Sequence, residues 1–303
     1  MSSAWDEQWL GERVAARLRQ VVTGIAPDVR RLLEGAMVRE SNPTARGVLA
    51  TMLENVDLAA RGKSICQSPG YPTVYVRLSP AFPVVDLTDV LGRAIVQVTR
   101  EGLLRPSMVH PLSRQNSGDN SGRGVPDVQY EIRPAGKAHS CCLEILFSFK
   151  GCGAELGNRF RIFTPAELSQ PRLIQRFVAE TVLEAGGKPC PPVAVGVGIG
   201  GQMHVACNLS RRVVSVRAWD DRHPDGEVAA LEEELLALVN SLGIGPAGTG
   251  GDTTALAVKV GLAHTHTAIC PVAVNFHCWV ARRGGLRIHP DGTTEDIWDW
   301  SDR

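Results

Sequence analysis

The sequence has no excess charge of either sign and no long apolar run. Its 303 residues include 32 Lys and Arg and 32 Asp and Glu, so the formal net charge at pH 7 is zero. A chain without a basic excess lacks the electrostatic footprint of a protein that binds nucleic acid or an anionic membrane. No apolar segment approaches the roughly 20 residues that cross a bilayer. Any basic site must therefore be local, such as a pocket for a carboxylate.

The N-terminus lacks the features of a secretory signal. Residues 1–8 include Trp5, Asp6 and Glu7, and no basic stretch followed by an apolar one occurs there. We therefore expect a cytoplasmic protein, in which thiols stay reduced. The eight cysteines contain no CxxC pair, which disfavours a zinc ribbon or zinc finger. In a reduced compartment some of these cysteines become candidates for metal, cluster or catalytic roles.

The apolar pattern predicts a mixed α/β (α+β) fold, with a helical N-terminal part packed on a mixed β-sheet. We place the helical part at residues 1–60 and the catalytic part, with the sheet, at residues 61–303. The polar stretch 105–126, rich in Gly, Ser and Asn, predicts a long loop, and such loops are usually either functional or disordered. Further helices are expected at 86–100, 165–185 and 227–242. Strands are expected at 73–78, 128–132, 142–149, 193–199, 255–260 and 271–280, with 128–132 paired to 142–149.

Two glycine patterns, at 196–201 and 243–248, match the GxGxxG spacing of dinucleotide-binding sites. Such a site requires a strand, then the glycines, then a helix, with an acidic residue about 20 positions later. The first match lies within an expected strand and the second follows a helix, so a nicotinamide or flavin site is disfavoured. His264 and His266 have the spacing of a metal pair on a strand, but without a third ligand they support zinc only weakly. The glycines at 248–251 indicate that the backbone there lies very close to another group, either of the protein or of a ligand.

A set of motifs, specific in combination, resembles one known family over about residues 45–283. The motifs are GKSICQ at 62–67, LRP at 104–106, NSGDN at 116–120, KGCGAE at 150–155, CPP at 190–192, GIGG at 198–201, LGIG at 242–245, GGDTT at 250–254, THTA at 265–268 and Cys278. The chain resembles the class I, iron–sulfur-dependent fumarate hydratase and L(+)-tartrate dehydratase family. The similarity is to the α subunit, or N-terminal domain, of that family.

The resemblance implies a [4Fe–4S] cluster held by Cys66, Cys190 and Cys278. These residues are too far apart in sequence to be recognised by spacing alone, since ligand runs for electron-transfer clusters are usually local. Three ligands on four irons leave one iron open to act as a Lewis acid. The other five cysteines fall outside the ligand positions of the family.

The resemblance also implies a substrate pocket. Its catalytic residues would be Gln67, Arg105 and His266, and its substrate-binding residues would be Gln67, Ser68, Arg105, Gly151, Gly153 and His266. An arginine can bind a carboxylate through two parallel hydrogen bonds, which suits a hydroxy acid or dicarboxylic acid. Several positions depart from the family; among them, Ser68 and Pro69 replace Asp and Thr, and Cys152 replaces a glycine.

The function implied is that of the α subunit of a hydro-lyase. It would reversibly add or remove water on a hydroxy-carboxylate or unsaturated (di)carboxylate, with a β subunit completing the pocket, in an α2β2 assembly. The aromatic tail from residue 298 onward is a candidate contact with that partner. Two alternatives stay open: a lyase of the same scaffold with another substrate or leaving group, and a non-catalytic accessory protein that binds a cluster.

Overall fold

The computed structural model describes residues 6–80, 82, 86–133 and 143–300. It confirms the mixed α/β class, with helices and two mixed sheets among these residues. The α-helices are α1 (Glu7–Val22), α2 (Pro27–Arg39), α3 (Pro43–Ala59), α4 (Leu87–Arg100), α5 (Pro165–Leu168), α6 (Leu173–Ala185), α7 (Met203–Val216) and α8 (Gly226–Asn240). The strands are β1 (Thr73–Leu78), β2 (Asp127–Ile132), β3 (Leu143–Phe149), β4 (Arg159–Phe163), β5 (Val193–Gly201), β6 (Ala255–Thr265), β7 (Cys270–His277), β8 (Arg282–Ile288) and β9 (Thr294–Ile297). No helix in the described ranges is long and apolar enough to cross a membrane.

The chain divides into two compact units, each assembled from separate stretches of sequence. Within the described residues, unit 1 takes its members from Met1–Ala26, Val56–Lys150 and Val280–Trp300. Unit 2 takes its members from Pro27–Asn55 and Gly151–Trp279. Both units therefore include residues from each side of position 60, and the expected division there stays a prediction.

Unit 1 is built on a five-stranded sheet of order β2-β1-β3-β8-β9. Helices α1 and α4 pack against each other, and their apolar faces join the side chains of this sheet in one buried core. Asp86 caps α4 as predicted, because its carboxylate accepts the backbone N–H of Asp89 at 3.0 Å. The expectation that 128–132 pairs with 142–149 is wrong, since β1 lies between β2 and β3. Strands β1 and β2 are parallel, and α4 supplies the crossover connection that parallel neighbours need.

The aromatic residues near the C-terminus pack within unit 1. The guanidinium of Arg17 lies over the ring of Trp298 at 4.3 Å, and that of Arg77 lies over the ring of Trp300 at 4.0 Å. Trp300 also meets the ring of Tyr75 edge to face. Trp300 is buried and Trp298 is half-buried. The expected contact of this tail with a partner stays a prediction, and residues 301–303 lie outside the described residues.

Unit 2 is built on a four-stranded sheet of order β4-β7-β5-β6, in which only β5 and β6 are parallel. The expected helix 165–185 is interrupted at Ser169–Arg172. Pro171 lacks the N–H that would continue the helix, and Arg172 adopts a left-handed conformation with φ of +56°. Helix α6 then runs to Ala185 and ends at Gly186, as predicted.

Helix α7 is absent from the sequence-based expectations, and it explains the first glycine pattern. A methyl group on Gly196 would lie 1.9 Å from the carbonyl oxygen of Ser210, and one on Gly198 would lie 2.0 Å from that of Ala206. These two glycines thus let the backbone of α7 lie directly on β5. The GxGxxG spacing at 196–201 is a helix-packing pattern here.

Four charged side chains form a partly buried ionic cluster beside β6. The ammonium of Lys259 lies 2.7 Å from a carboxylate oxygen of Asp221, and Arg217 contacts both Asp221 and Glu232. Glu232 also accepts the backbone N–H of Val260 on edge strand β6 at 2.8 Å. Burial raises the pKa of Asp221, but hydrogen bonds from Arg217 and Lys259 outweigh burial and hold that pKa below its ordinary value.

We expect Gly198→Ala to lower the free energy of unfolding by about 1–3 kcal/mol or more, because its methyl group would overlap a backbone carbonyl that cannot move away easily. The matched control is Gly47→Ala, since a methyl group on Gly47, inside α3, meets no atom within 4 Å. This control should raise stability by about 0.4–1 kcal/mol. Urea unfolding measures both, and equal effects would contradict the packing role of Gly198.

We expect Asp221→Asn to lower the free energy of unfolding at pH 7 by about 2–4 kcal/mol, because it leaves the buried ammonium of Lys259 poorly compensated. The neighbouring change Asp220→Asn removes a more exposed pair with Arg31 and should cost at most about 1 kcal/mol. The pKa of Asp221 is lower in the folded protein than in the unfolded chain. Its contribution is therefore fully present above about pH 4 and is lost as the pH falls through the folded pKa. A pH series of urea midpoints in which the two variants behave alike would refute this assignment.

Candidate active site

The segment Cys66–Ser68 of unit 1 is held by a buried arginine that the sequence analysis missed. Arg282, the first residue of β8, is fully buried. One of its terminal nitrogens donates to the carbonyl oxygen of Cys66 at 2.6 Å, and the other donates to that of Ser68. Because the grip is on the backbone, the thiol of Cys66 and the hydroxyl of Ser68 are left for other contacts. No local signal in the sequence marks Arg282, whose partners lie more than 200 residues away.

Arg105 lies beside this segment. Its backbone N–H donates to the carbonyl oxygen of Gln67 at 2.7 Å, and the side-chain amide of Gln67 donates to the carbonyl oxygen of Gly102 at 2.6 Å. The side chain of Arg105 is exposed, and its guanidinium makes no hydrogen bond or ion pair with the part of the chain that the structure describes. An exposed guanidinium without a carboxylate partner is available for an anionic ligand.

The loop 105–126 is irregular, as expected, and buried Asn120 organises it. The side chain of Asn120 donates to the carbonyl oxygen of Arg105 at 2.9 Å and accepts the N–H of Ser107 at 2.7 Å. Hydrogen bonds from Ser121, followed by contact with the guanidinium of Arg100, hold the pKa of Asp119 below its usual value. Both side chains therefore shape the loop that carries Arg105.

Unit 2 brings together four of the candidate residues. The backbone N–H of Trp279 lies 3.5 Å from the carbonyl oxygen of Cys190, which places the Cys278 segment beside Cys190. The N–H of Gly151 donates to the sulfur of Cys278 at 3.3 Å. A methyl group on Gly153 would lie 2.3 Å from the carbonyl oxygen of Lys188, so this position admits only glycine without movement. Cys278 is buried, whereas Cys190 is exposed.

His266 follows the end of β6 and is exposed. The N–H of Ala268 donates to its Nδ1 at 3.1 Å, so the neutral ring carries its proton on Nε2. No hydrogen bond in the described residues joins His266 to the cysteines or glycines above. His266 can therefore present an Nε2–H donor to a ligand, but the contacts within unit 2 do not place it beside Cys190.

The donor chemistry of the candidate cysteines suits iron. Thiolates are the usual ligands of iron–sulfur clusters, and hydrogen bonds to the ligand sulfurs affect the reduction potentials of such clusters. The N–H of Gly151 makes a bond of this kind to the sulfur of Cys278. Cys190 and Cys278 lie in unit 2, and Cys66 lies in unit 1. Within either unit, no three His, Cys, Asp or Glu side chains of the described residues are grouped as a metal site. Burial raises the thiol pKa of both Cys207 and Cys270, which favours the protonated, structural form.

Comparisons with known proteins agree with the motifs. The family model described as fumarate hydratase (Fumerase) matches residues 11–287. The chain is 32% identical to the L(+)-tartrate dehydratase subunit alpha of Escherichia coli K12 over 95% of its own length and 93% of that protein. It is 35% identical to a Methanocaldococcus jannaschii protein that is provisionally named L(+)-tartrate dehydratase subunit alpha, over 93% and 98% of the two chains. A protein provisionally named class I fumarate hydratase in Geobacillus stearothermophilus is 34% identical over 92% of this chain, which spans about half (54%) of that relative. The chain belongs to the class I fumarate hydratase (Fumerase) family.

Proposed function

We propose that this chain is the α subunit of an iron–sulfur-dependent hydro-lyase. It would reversibly add or remove water on a hydroxy-carboxylate or an unsaturated (di)carboxylate. The observation that carries this proposal is the family match over residues 11–287, which spans all of the candidate site residues. The exposed guanidinium of Arg105, beside the Cys66–Ser68 segment, supports an anionic substrate.

Cys66, Cys190 and Cys278 would hold a [4Fe–4S] cluster. When bound by three cysteines, such a cluster supplies an iron with an open position, which can act as a Lewis acid toward a hydroxyl or carboxylate oxygen. The N–H of Gly151 would also donate a hydrogen bond to the sulfur of Cys278 in a cluster-bound state. The contact between Trp279 and Cys190 supports a shared role for the two cysteines of unit 2.

The side chains would act on the substrate in distinct ways. Arg105 would bind a substrate carboxylate through two parallel hydrogen bonds and so fix the orientation of the acid. His266 would donate its Nε2–H to a substrate oxygen. Gln67 would contribute its amide oxygen, because its amide nitrogen is engaged by Gly102. Gly151 and Gly153 would supply backbone near the substrate.

The proposed enzyme also includes a partner subunit. The relatives named subunit alpha imply a second subunit in those proteins, and we propose a β subunit and an α2β2 assembly for this chain, in the cytoplasm. The β subunit would provide the group that moves the proton at the carbon next to the carboxylate. The isolated α chain should then bind a cluster and catalyse poorly.

A second candidate is a lyase of the same scaffold that acts on another acid or leaving group. Its support is Ser68, which stands where the family has an aspartate. The hydroxyl of Ser68 makes no hydrogen bond with the described residues, and the backbone of Ser68 is held by Arg282. An uncharged side chain at position 68 would bind a different group of the substrate, while the hydrogen bond from Arg282 to the backbone is kept.

We expect the wild-type chain, reconstituted anaerobically, to hold about four irons and four sulfides. Cys66→Ala, Cys190→Ala and Cys278→Ala should each lose most of them, as measured by iron and sulfide analysis and by visible absorption. Cys207→Ala is the matched control and should keep the wild-type content, because burial raises the pKa of this thiol. Wild-type protein without iron, or variants that bind as much iron as the wild type, would contradict the ligand assignment.

We expect Arg105→Ala to lower kcat/KM by about 10-fold to 100-fold in the complex with a β subunit, since a hydrogen bond to a charged group contributes about 1.5–3 kcal/mol. Absorbance of the conjugated acid, with malate, tartrate and substituted analogues, measures this rate. Arg123→Ala removes another exposed arginine of the same loop and should change kcat/KM less than about twofold. Equal effects of the two substitutions would remove Arg105 from the substrate site.

A further inference from the structure

Glu40 is a buried carboxylate, 1% exposed, to which the family resemblance assigns no role. Its Oε1 accepts the N–H of Asp252 at 2.9 Å and that of Asn42 at 3.2 Å. Its Oε2 accepts the N–H of Thr253 at 3.1 Å and that of Asp252 at 3.1 Å. No Lys, Arg or His of the described residues pairs with it. Backbone N–H groups alone therefore compensate its charge, and hydrogen bonds to a charged acceptor are the stronger kind.

The N–H groups of Asp252 and Thr253 belong to the glycine-rich loop 243–254, which folds back on itself. Gly245, Gly250 and Gly251 have φ of +70°, +81° and +131°, which side chains rarely adopt. A methyl group on Gly245 would lie 2.0 Å from the carbonyl oxygen of Gly250, and one on Gly251 would lie 2.8 Å from Oε1 of Glu40. The loop is thus in direct contact with the carboxylate at one end.

The other part of the same loop holds the turn that carries Cys190. The N–H of Ala247 donates to the carbonyl oxygen of Pro191 at 2.8 Å. A methyl group on Gly248 would lie 3.0 Å from the Cα of Gly187, whose carbonyl oxygen accepts the N–H of Cys190 at 3.1 Å. The loop therefore bonds to the turn 187–191 at Pro191 and packs against it at Gly187. Within that turn, Cys190 has φ of +59°, an uncommon conformation for a residue with a side chain.

We propose that Glu40 is the positioning residue for Cys190, acting through the glycine-rich loop 243–254. The carboxylate orders Asp252 and Thr253, the loop transmits that order to Ala247 and Gly248, and these residues fix the turn in which Cys190 presents its thiol. The role of Cys190 as a cluster ligand is taken from the proposed function, and the inference rests on it. The ordering of the turn itself is a property of the chain alone.

Glu40→Gln tests the proposal with little change of volume. Both carboxylate oxygens accept N–H groups, whereas glutamine offers one acceptor and one NH2 donor, so one contact becomes donor against donor. We expect amide hydrogen exchange in the turn 187–191 and the loop 243–254 to become about 10-fold faster or more, with strands β5 and β7 little changed. Iron release to a chelator from the reconstituted chain should accelerate in the same variant.

The control for charge removal is Glu34→Gln, which affects only an exposed pair with Arg30 on α2 and should change neither measurement. If Glu40→Gln does not fold, Gly248→Ala tests the contact between the loop 243–254 and the turn 187–191. Its methyl group would press on Gly187 at a position with φ of +76°, and it should speed exchange in the turn 187–191. Unchanged exchange there in every folded variant would overturn the proposal.

The two hypotheses fail in different ways. If Cys190→Ala binds as much iron as the wild type, the cluster assignment is wrong, whatever Glu40 does. If Cys190→Ala loses iron while Glu40→Gln changes neither exchange in the turn nor iron release, the cluster assignment stands and the positioning role of Glu40 is wrong.

Discussion

Hydrogen bonds between backbone groups and a few buried side chains hold the candidate ligand segments, and the rest of the site depends on this constraint. In unit 1, Arg282 holds the carbonyl oxygens of Cys66 and Ser68. In unit 2, the N–H of Trp279 meets the carbonyl oxygen of Cys190. These contacts use main-chain atoms and not the thiol groups. A segment held in this way keeps its backbone conformation when its side chains change.

Main-chain contacts can be kept when side chains change, which agrees with the positions at which this chain departs from its family. Ser68 and Cys152 alter the side chains around the expected substrate. The carbonyl oxygen of Ser68 accepts a hydrogen bond from Arg282. On either side of Cys152, Gly151 donates to the sulfur of Cys278 and Gly153 packs against the carbonyl oxygen of Lys188. These departures agree with the second proposed function, in which the same scaffold keeps the proposed cluster site and acts on another substrate.

Local patterns in the sequence predicted local structure well and long-range contacts poorly. Strand β1 and helix α4 follow from alternation and from the cap at Asp86, each of which involves only a few consecutive residues. The crossover that separates β2 from β3 depends on pairing across the sheet, and no short pattern encodes it. Helix α7 was not predicted, because the spacing of the glycines in β5 does not by itself show which element packs against them.

In the candidate site, too, residues in short motifs were predicted and residues that act through long-range contacts were not. The family motifs point to Cys66, Cys190, Cys278 and Arg105, because these residues lie in recognisable short segments. The residues that support them, Arg282 and Glu40, act through partners more than 200 positions away in sequence. Such residues are visible only once the chain is folded, since their importance comes from burial and from the hydrogen bonds that burial makes obligatory.

A Mössbauer spectrum of the chain reconstituted with ⁵⁷Fe, with and without a hydroxy acid such as malate or tartrate, tests the central claim most directly. Three cysteine ligands on four irons predict one iron whose signal differs from those of the other three and shifts when the acid binds. Four equivalent signals that do not respond to any hydroxy acid would contradict an open iron site and, with it, the proposed hydro-lyase.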